Sequence, residues 1–233
     1  MFIIGGIQKT TLIDFPQKVA AIVFTQGCNF CCGYCHNPEL IKTCHSELVS
    51  EAFSTEKIFS FLKTRIGKLD GVVITGGEPT IQKDLYDFVK KIKSMGFSVK
   101  LDTNGTNPAI IEKLIKENLL DYIAMDIKAP LDKYQQITSV KCGKDNIQKS
   151  INLIMNSNID YEFRTTVVKS QLSFDDFNKI GLLIQGAKRY YLQKFIPTKL
   201  CDEKLKNEQT YENQEFEEIC KMLKKYIHEV SYR

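Results

Sequence analysis

No stretch of this sequence is apolar for the length of a membrane span. Its first residues (MFIIGGIQKTT) also lack the basic lead and long apolar run of a signal peptide. These absences lead us to expect a cytoplasmic protein with no membrane partner. Charge of one sign is nowhere concentrated. The 32 Lys and Arg residues against 28 Asp and Glu leave a formal charge of +4, and the lysines are spread along amphipathic segments rather than gathered in blocks. Nucleic acid is therefore not expected as a partner either. There is no internal repeat, no low-complexity tract and no shift in composition that marks a boundary. Residues 1–233 read as a single domain, at a length where α/β barrels are often undivided. No phosphate-binding loop is visible, and histidine is scarce, with three in all.

Cysteine, by contrast, is abundant. There are eight, and four of them fall in the stretch from Gly27 to Pro38, G-C-N-F-C-C-G-Y-C-H-N-P. In a reducing compartment such clustering means metal or redox chemistry more often than disulfides. Three readings compete. Cys28, Cys32 and Cys35 form a C-x3-C-x2-C spacing with Cys31 as an extra thiol inside it. Three thiolates on one loop can hold a four-iron cluster and leave one iron open to another molecule. The same residues also parse as C-x2-C-C-x2-C, two hooks for one zinc. Adjacent Cys31 and Cys32 would then belong to different hooks, and Cys44 and His45 are the spare ligands nearby. The third reading, cysteines as small buried hydrophobes, suits poorly four thiols flanked by Gly27, Gly33 and Asn37. The spacing favours the iron–sulfur centre.

Along the chain, short apolar runs alternate with amphipathic segments. Strands are expected at Val19 to Thr25, Gly71 to Thr75, Phe97 to Leu101, Asp121 to Ile127, Tyr161 to Val168 and Tyr190 to Phe195. One helix is expected from about Thr55, capped by Ser54 with Ile58, Phe59, Phe61 and Leu62 inward. A second carries the stripe Ile81, Leu85, Phe88, Val89 and Ile92 and stops at Gly96. Others are expected from Asn107-Pro108 to Asn118, from about Asp145 to Asn156, from Ser173, and from about Tyr211 to His228. Six strands each followed by a helix imply parallel pairing with right-handed crossovers, a partial (β/α)6 barrel open on one side. Such sheets carry their chemistry at the carboxyl ends of the strands. The polar motifs collect there: the cysteine loop, Gly76-Gly77-Glu78-Pro79, Asp102-Thr103-Asn104-Gly105 and Asp126-Ile127-Lys128. Taken singly, Asp102 also suits a turn and Lys128 a solvated strand end.

With Tyr34 before its last cysteine, the C-x3-C-x2-C motif resembles the signature of the radical S-adenosylmethionine enzymes, and Gly76-Gly77-Glu78-Pro79 resembles that family's second motif. The resemblance implies a four-iron four-sulfur (4Fe-4S) cluster on Cys28, Cys32 and Cys35, with S-adenosylmethionine on the open iron. It implies cosubstrate contacts from Tyr34, Gly76, Gly77 and Glu78, the last near the methionine amino group. Thr103 is expected to bind the cosubstrate too, and resemblance to pyruvate formate-lyase activating enzymes implies Asp102, Asp126 and Lys128 around the methionine carboxylate, with a monovalent cation near Asp102 and Asp126. The start, G-G-I-Q-K-T-T-L-I-D-F-P through F-T-Q-G-C-N-F-C-C-G-Y-C-H-N-P-E-L, is similar to activating proteins of anaerobic ribonucleoside-triphosphate reductases. The segments at Asp102 and Asp126 are similar to ones in pyruvate formate-lyase activating enzymes. The implied activity is that of an oxidoreductase that reductively cleaves S-adenosylmethionine and installs a glycyl radical on a partner glycyl radical enzyme, an anaerobic ribonucleoside-triphosphate reductase, with flavodoxin or ferredoxin as electron donor. Three alternatives stand beside it: a pyruvate formate-lyase activase, a radical enzyme acting on a small molecule such as a deazapurine precursor, and a zinc-stabilised binding protein.

The chain also departs from these relatives. Cys31 stands where they often have a basic or polar residue and reads as a bystander. The segment from Lys42 to Phe53 reads as a short insertion. Only Cys44 lies between Cys35 and the Gly76 strand, so an auxiliary ferredoxin-like domain is not expected. The histidine some activators carry near the sixth strand has no counterpart in Phe195-Ile-Pro-Thr198. Cys142, Cys201 and Cys220 read as isolated free thiols and His228 as solvated. Val167, Gln193 and Phe195 are expected beside a lateral opening that admits the partner's loop.

Overall fold

The computed structural model describes residues 2–41, 54–141, 143–198 and 200–233. Its described residues form one eight-stranded sheet whose spatial order follows the chain, β1 to β8. The six expected strands are β2 Ala20–Thr25, β3 Gly71–Gly76, β4 Ser98–Thr103, β5 Tyr122–Asp126, β6 Asp160–Val167 and β7 Arg189–Lys194. Each pairs in parallel with the next. Runs such as AAIVFT in β2 are almost continuously apolar because a parallel strand here is covered on both faces.

Both edges of the sheet differ from the expectation. β1, Ile4–Thr11, pairs antiparallel with β2. Its sequence, IGGIQKTT, has two glycines and a polar tail, so no alternation marks it as a strand; it is ordered by the free edge of β2. At the other side the last helix stops at Leu223, and Glu229–Tyr232 forms β8, parallel to β7. His228 is exposed, in the turn before β8 rather than on the helix. Among the described residues β1 and β8 do not pair, and the sheet stays open.

The helices are α1 Thr55–Lys63, α2 Leu85–Ser94, α3 Pro108–Lys116, α4 Tyr134–Thr138, α5 Lys144–Met155, α6 Phe174–Leu183 and α7 Asn213–Leu223. The Ser54 side chain accepts from Lys57 N to start α1, and Ser173 and Asp176 form a reciprocal capping box on α6. Ile81 does not extend the stripe of α2. It lies in a separate single turn, Pro79–Ile81, and is exposed. Strand alternation divides the sheet into two faces. Val72, Ile74, Val99, Leu101, Ile123, Met125, Phe163 and Leu192 pack with the helices in the main core. On the concave face Ile22, Val73 and Tyr122 close over Phe15. The same alternation turns Lys100, Asp102, Glu162 and Arg164 to the concave side. Among the described residues no helix is long and apolar enough to cross a membrane.

Candidate active site

β2 ends at Thr25 and releases the cysteine loop, while β3 ends directly beside it. Gly77 N donates to Thr25 O (2.9 Å) and Glu78 N donates to Gly27 O (2.8 Å). A Cβ on Gly77 would lie 2.0 Å from Gly27 O. One on Gly76, whose φ is +113°, would lie 2.4 Å from Thr25 N and O. The two glycines are therefore what let the second motif lie backbone to backbone against the root of the first. The far side of the loop is held by α4: Cys31 N donates to Thr138 O (2.9 Å), and buried Phe30 meets the Tyr134 ring edge-on.

This anchoring turns Cys28, Cys32 and Cys35 into one cavity of about 210 Å³ at the carboxyl ends of the strands. Burial pushes the Cys28 thiol up to about 12 and the Cys32 thiol up to about 11, and raises Cys35 as well. Thiols so placed keep their protons at neutral pH until a cationic centre draws them off as thiolates. Three such thiols fit a cluster held with one iron open. The Tyr34 hydroxyl, buried in the same wall, has no hydrogen-bond partner among the described residues, as expected of a surface awaiting a polar ligand. Cys31 is exposed and does not line the cavity, which sets it apart from the other three thiols. Cys44, His45 and the 42–53 segment lie outside the described residues. We expect Cys28→Ala, Cys32→Ala and Cys35→Ala each to fail to hold a cluster after anaerobic reconstitution, while Cys31→Ala holds a full complement of iron. Iron counting on the four variants decides it, and loss of the cluster from Cys31→Ala alone would reverse the assignment.

The opposite wall is a network of charges. Lys100 reaches Asp102 Oδ1 (2.5 Å), and Arg164 bridges Asp102 Oδ2 (3.2 Å) and Asp126 Oδ1 (2.9 Å). Lys128 holds Asp126 Oδ2 (3.0 Å). All four carboxylate oxygens thus accept from protein cations. This donor set does not fit the monovalent cation expected near Asp102 and Asp126, because Arg164 stands between the carboxylates and neutralises both. Burial pushes the Asp126 carboxyl up, but Arg164 and Lys128 more than reverse it and hold it at about 2; Asp102 is lowered in the same way by Arg164 and Lys100. A carboxyl depressed in the folded state contributes stability above its ordinary pKa and loses it as pH falls through the folded value. The contribution of Asp126 should therefore be complete above about pH 4 and vanish toward pH 2, by on the order of 2 kcal/mol. Urea midpoints against pH for the wild type and Asp126→Asn test this. A variant with as steep a loss as the wild type between pH 4 and pH 2 would remove Asp126 as its source.

Glu78 is almost fully buried, and its carboxylate ties the ends of β3 and β4 together. Oε1 accepts from Thr80 N (3.0 Å), Thr80 Oγ1 (2.5 Å) and Thr103 Oγ1 (2.7 Å), and Oε2 accepts from Asn104 N (2.6 Å). Most of its acceptor capacity is thus spent on the scaffold, a role its place in the motif did not reveal.

Every residue expected at the site lines the one cavity: the three cysteines, Tyr34, Gly76, Gly77, Glu78, Asp102, Thr103, Asp126 and Lys128. Asn104, from the same motif as Asp102, joins them, as do Thr166 and Arg164, which were not anticipated. For Arg164 a signal existed, a lone guanidinium inside the strand sequence DYEFRTTV. One expectation for the lateral opening is corrected. Val167 is buried in the main core on the helix side, whereas Phe195 is buried beside the cysteine loop, its ring centroid 6.4 Å from that of His36, and Gln193 is partly open. Cys220 is a buried free thiol, and Cys142 lies outside the described residues. Cys201 is not isolated, since its Sγ lies 3.9 Å from that of Cys31.

Residues 22–181 match the family model of the radical SAM superfamily. A protein of Methanocaldococcus jannaschii named as a glycyl-radical enzyme activating enzyme is 37% identical over 99% of this chain and 95% of its own. The pyruvate formate-lyase-activating enzyme of Clostridium pasteurianum is 26% identical over 83% of this chain and 81% of its own. Among solved structures, SuiB of Streptococcus suis superposes with a TM-score of 0.67 over 89% of this chain and 47% of that one, at 13% identity. QueE from Escherichia coli superposes with a TM-score of 0.53 over 82% of this chain and 83% of that one, at 18% identity. At such identities the likeness to the two structures is one of fold alone.

Proposed function

This chain belongs to the radical SAM superfamily and, within it, to the glycyl-radical enzyme activating enzymes, and we propose that the enzyme it activates is an anaerobic ribonucleoside-triphosphate reductase. The observation that carries the reading is the convergence of three buried thiols and a neutralised carboxylate network on one cavity, behind an N-terminal stretch similar to that of the activators of those reductases. The absence of an auxiliary cysteine-rich segment between Cys35 and Gly76 is in keeping with it.

In this reading Cys28, Cys32 and Cys35 ligate the cluster, and Tyr34, Gly76, Gly77, Glu78, Asp102, Thr103, Asp126 and Lys128 surround S-adenosylmethionine. Arg164 acts as a positioning residue, fixing Asp102 and Asp126 relative to each other. When bound, the cluster and S-adenosylmethionine supply one-electron cleavage of the sulfonium and, from it, the radical that takes a hydrogen atom from a glycine Cα. The chain's own groups do the rest. The thiols hold the centre off the strand ends, and the paired network of Asp102, Asp126, Arg164 and Lys128 presents fixed polar groups to the cosubstrate between low-dielectric walls that strengthen each contact. The concave side, open between β1 and β8, is the route for the partner's glycine loop, which must come within about 3–3.5 Å of the reacting carbon. Binding energy for that approach comes from protein–protein contact, so a short free peptide is a poor substitute. Flavodoxin or ferredoxin is the proposed electron donor, the cytoplasm the proposed location, and the whole chain the proposed catalytic unit.

The test mixes reduced enzyme and S-adenosylmethionine anaerobically with each candidate partner and reads the glycyl radical doublet by electron paramagnetic resonance. We expect the doublet with the ribonucleotide reductase. A doublet only with pyruvate formate-lyase moves the assignment to that target. Cleavage of S-adenosylmethionine with no doublet on either points to a different radical target altogether.

A further inference from the structure

The segment that follows β7 folds back across the outer side of the cysteine loop. Asp202 N donates to Gly33 O (3.0 Å), and Leu205 and Asp202 pack so closely on Gly33 that an added Cβ would meet them at 3.0 and 3.2 Å. Thr198 Oγ1 lies 3.5 Å from His36 Nδ1. These contacts bring together two thiols that lie 170 residues apart in sequence, Cys31 and Cys201, with Sγ atoms 3.9 Å apart. Both are exposed, and neither lines the cavity. The backbone on each side is pinned, by Cys31 N to Thr138 O and by Asp202 N to Gly33 O, whereas the side chains face solvent.

We propose that Cys31 and Cys201 form a redox-active thiol pair, a site of reversible disulfide formation separate from the cluster ligands, whose oxidant is a small-molecule disulfide. The thiolate of one cysteine attacks the oxidant, forms a mixed disulfide and expels one small thiol. The second cysteine then attacks its partner's sulfur and expels the other. The protein loses two protons and two electrons, and the oxidant is reduced to two thiols. The sulfurs must approach from 3.9 Å to about 2.05 Å, the bond length of a disulfide. Closure ties the 200–207 segment to the loop that carries the cluster ligands. It also withdraws Cys31 from competition with its neighbour Cys32 for iron. The proposal does not depend on which enzyme is activated.

The test uses the reconstituted holoprotein, held anaerobically and titrated with oxidised glutathione. The protein is then alkylated, digested without reduction and mapped by mass spectrometry. The expected product is one cross-linked peptide pair through Cys31 and Cys201, two hydrogens lighter than its parts and restored by dithiothreitol, with iron content unchanged. Because the second thiol is held at high effective concentration, this product should exceed stable glutathione adducts at either cysteine by at least about tenfold. In Cys201→Ser the cross-link should vanish and Cys31 should accumulate the adduct, with cleavage of S-adenosylmethionine unchanged. Cys31→Ser should do the reverse. Glutathione adducts without a cross-link, a cross-link from Cys31 to Cys28, Cys32 or Cys35 with loss of iron, or no reaction at either thiol would each overturn the proposal.

Discussion

Replacing Arg164 by methionine is expected to destabilise the protein by about 3–5 kcal/mol, the scale for removing one partner from a buried ion network. Asp102 and Asp126 would each lose their shared guanidinium. Lys100 and Lys128 then remain as their only direct cations, with nothing between the two carboxylates. Their mutual repulsion, now held off by Arg164, would return in a wall that is only 12% exposed at the Arg164 side chain. Arg164→Lys should recover only part of the loss, because an ammonium cannot present two directed N–H groups to two carboxylates as a planar guanidinium does. Arg189 provides the contrast. It also lies on the concave side, but its ion pairs to Asp160 (3.5 Å) and Glu229 (3.7 Å) are longer and their carboxylates are open to solvent. Its replacement should cost less than about 1 kcal/mol. Anaerobic urea denaturation of the three variants measures these differences, and equilibrium dialysis with S-adenosylmethionine shows whether the cosubstrate follows. A loss below about 1 kcal/mol for Arg164→Met would mean that water or the lysines compensate the aspartates, and the positioning role would fall.

Gly77→Ala should be as damaging by a different route. Its Cβ would sit 2.0 Å from the carbonyl oxygen of Gly27 and 3.2 Å from Cys28 N, backbone against backbone, with no flexible side chain able to yield. The ends of β2 and β3 would have to separate, and with them the root of the cysteine loop. We expect a destabilisation of roughly 2–3 kcal/mol, at the upper end for overpacking, together with loss of most of the iron after reconstitution. Gly67→Ala is the control. Gly67 has φ +75° but nothing within 4 Å of the added atom, so only the left-handed backbone cost of about 1–2 kcal/mol remains and the cluster should be retained. Iron content in the two variants, normalised to folded protein, separates a local collapse of the site from a general loss of stability. Equal iron in both would show that the Gly76–Gly77 contact does not shape the cluster loop.

Local pattern in the sequence determined the parallel body of this protein. The strands β2 to β7 are runs whose apolar character follows from burial on both faces, and Ser54, Pro108 and the Ser173–Asp176 pair mark helix starts by chemistry confined to a few residues. The cysteine spacing and the polar residues at strand ends were legible for the same reason, since a parallel sheet sends all its carboxyl ends to one rim. What only the tertiary structure decided depends on residues that meet across the chain. β1 and β8 are strands because a free sheet edge pairs with them, and neither IGGIQKTT nor EVSY carries that edge in its own pattern. Arg164 became the centre of the carboxylate wall through the register that sets β6 beside β5, with Asp126 opposite it. Glu78 proved to be the tie between β3 and β4, and Cys201 came to Cys31 across 170 residues. Periodicity and spacing record what a residue needs from its own neighbours in sequence. Which distant backbone or charge lies beside it is fixed only when strand pairing and the folding back of loops bring them together.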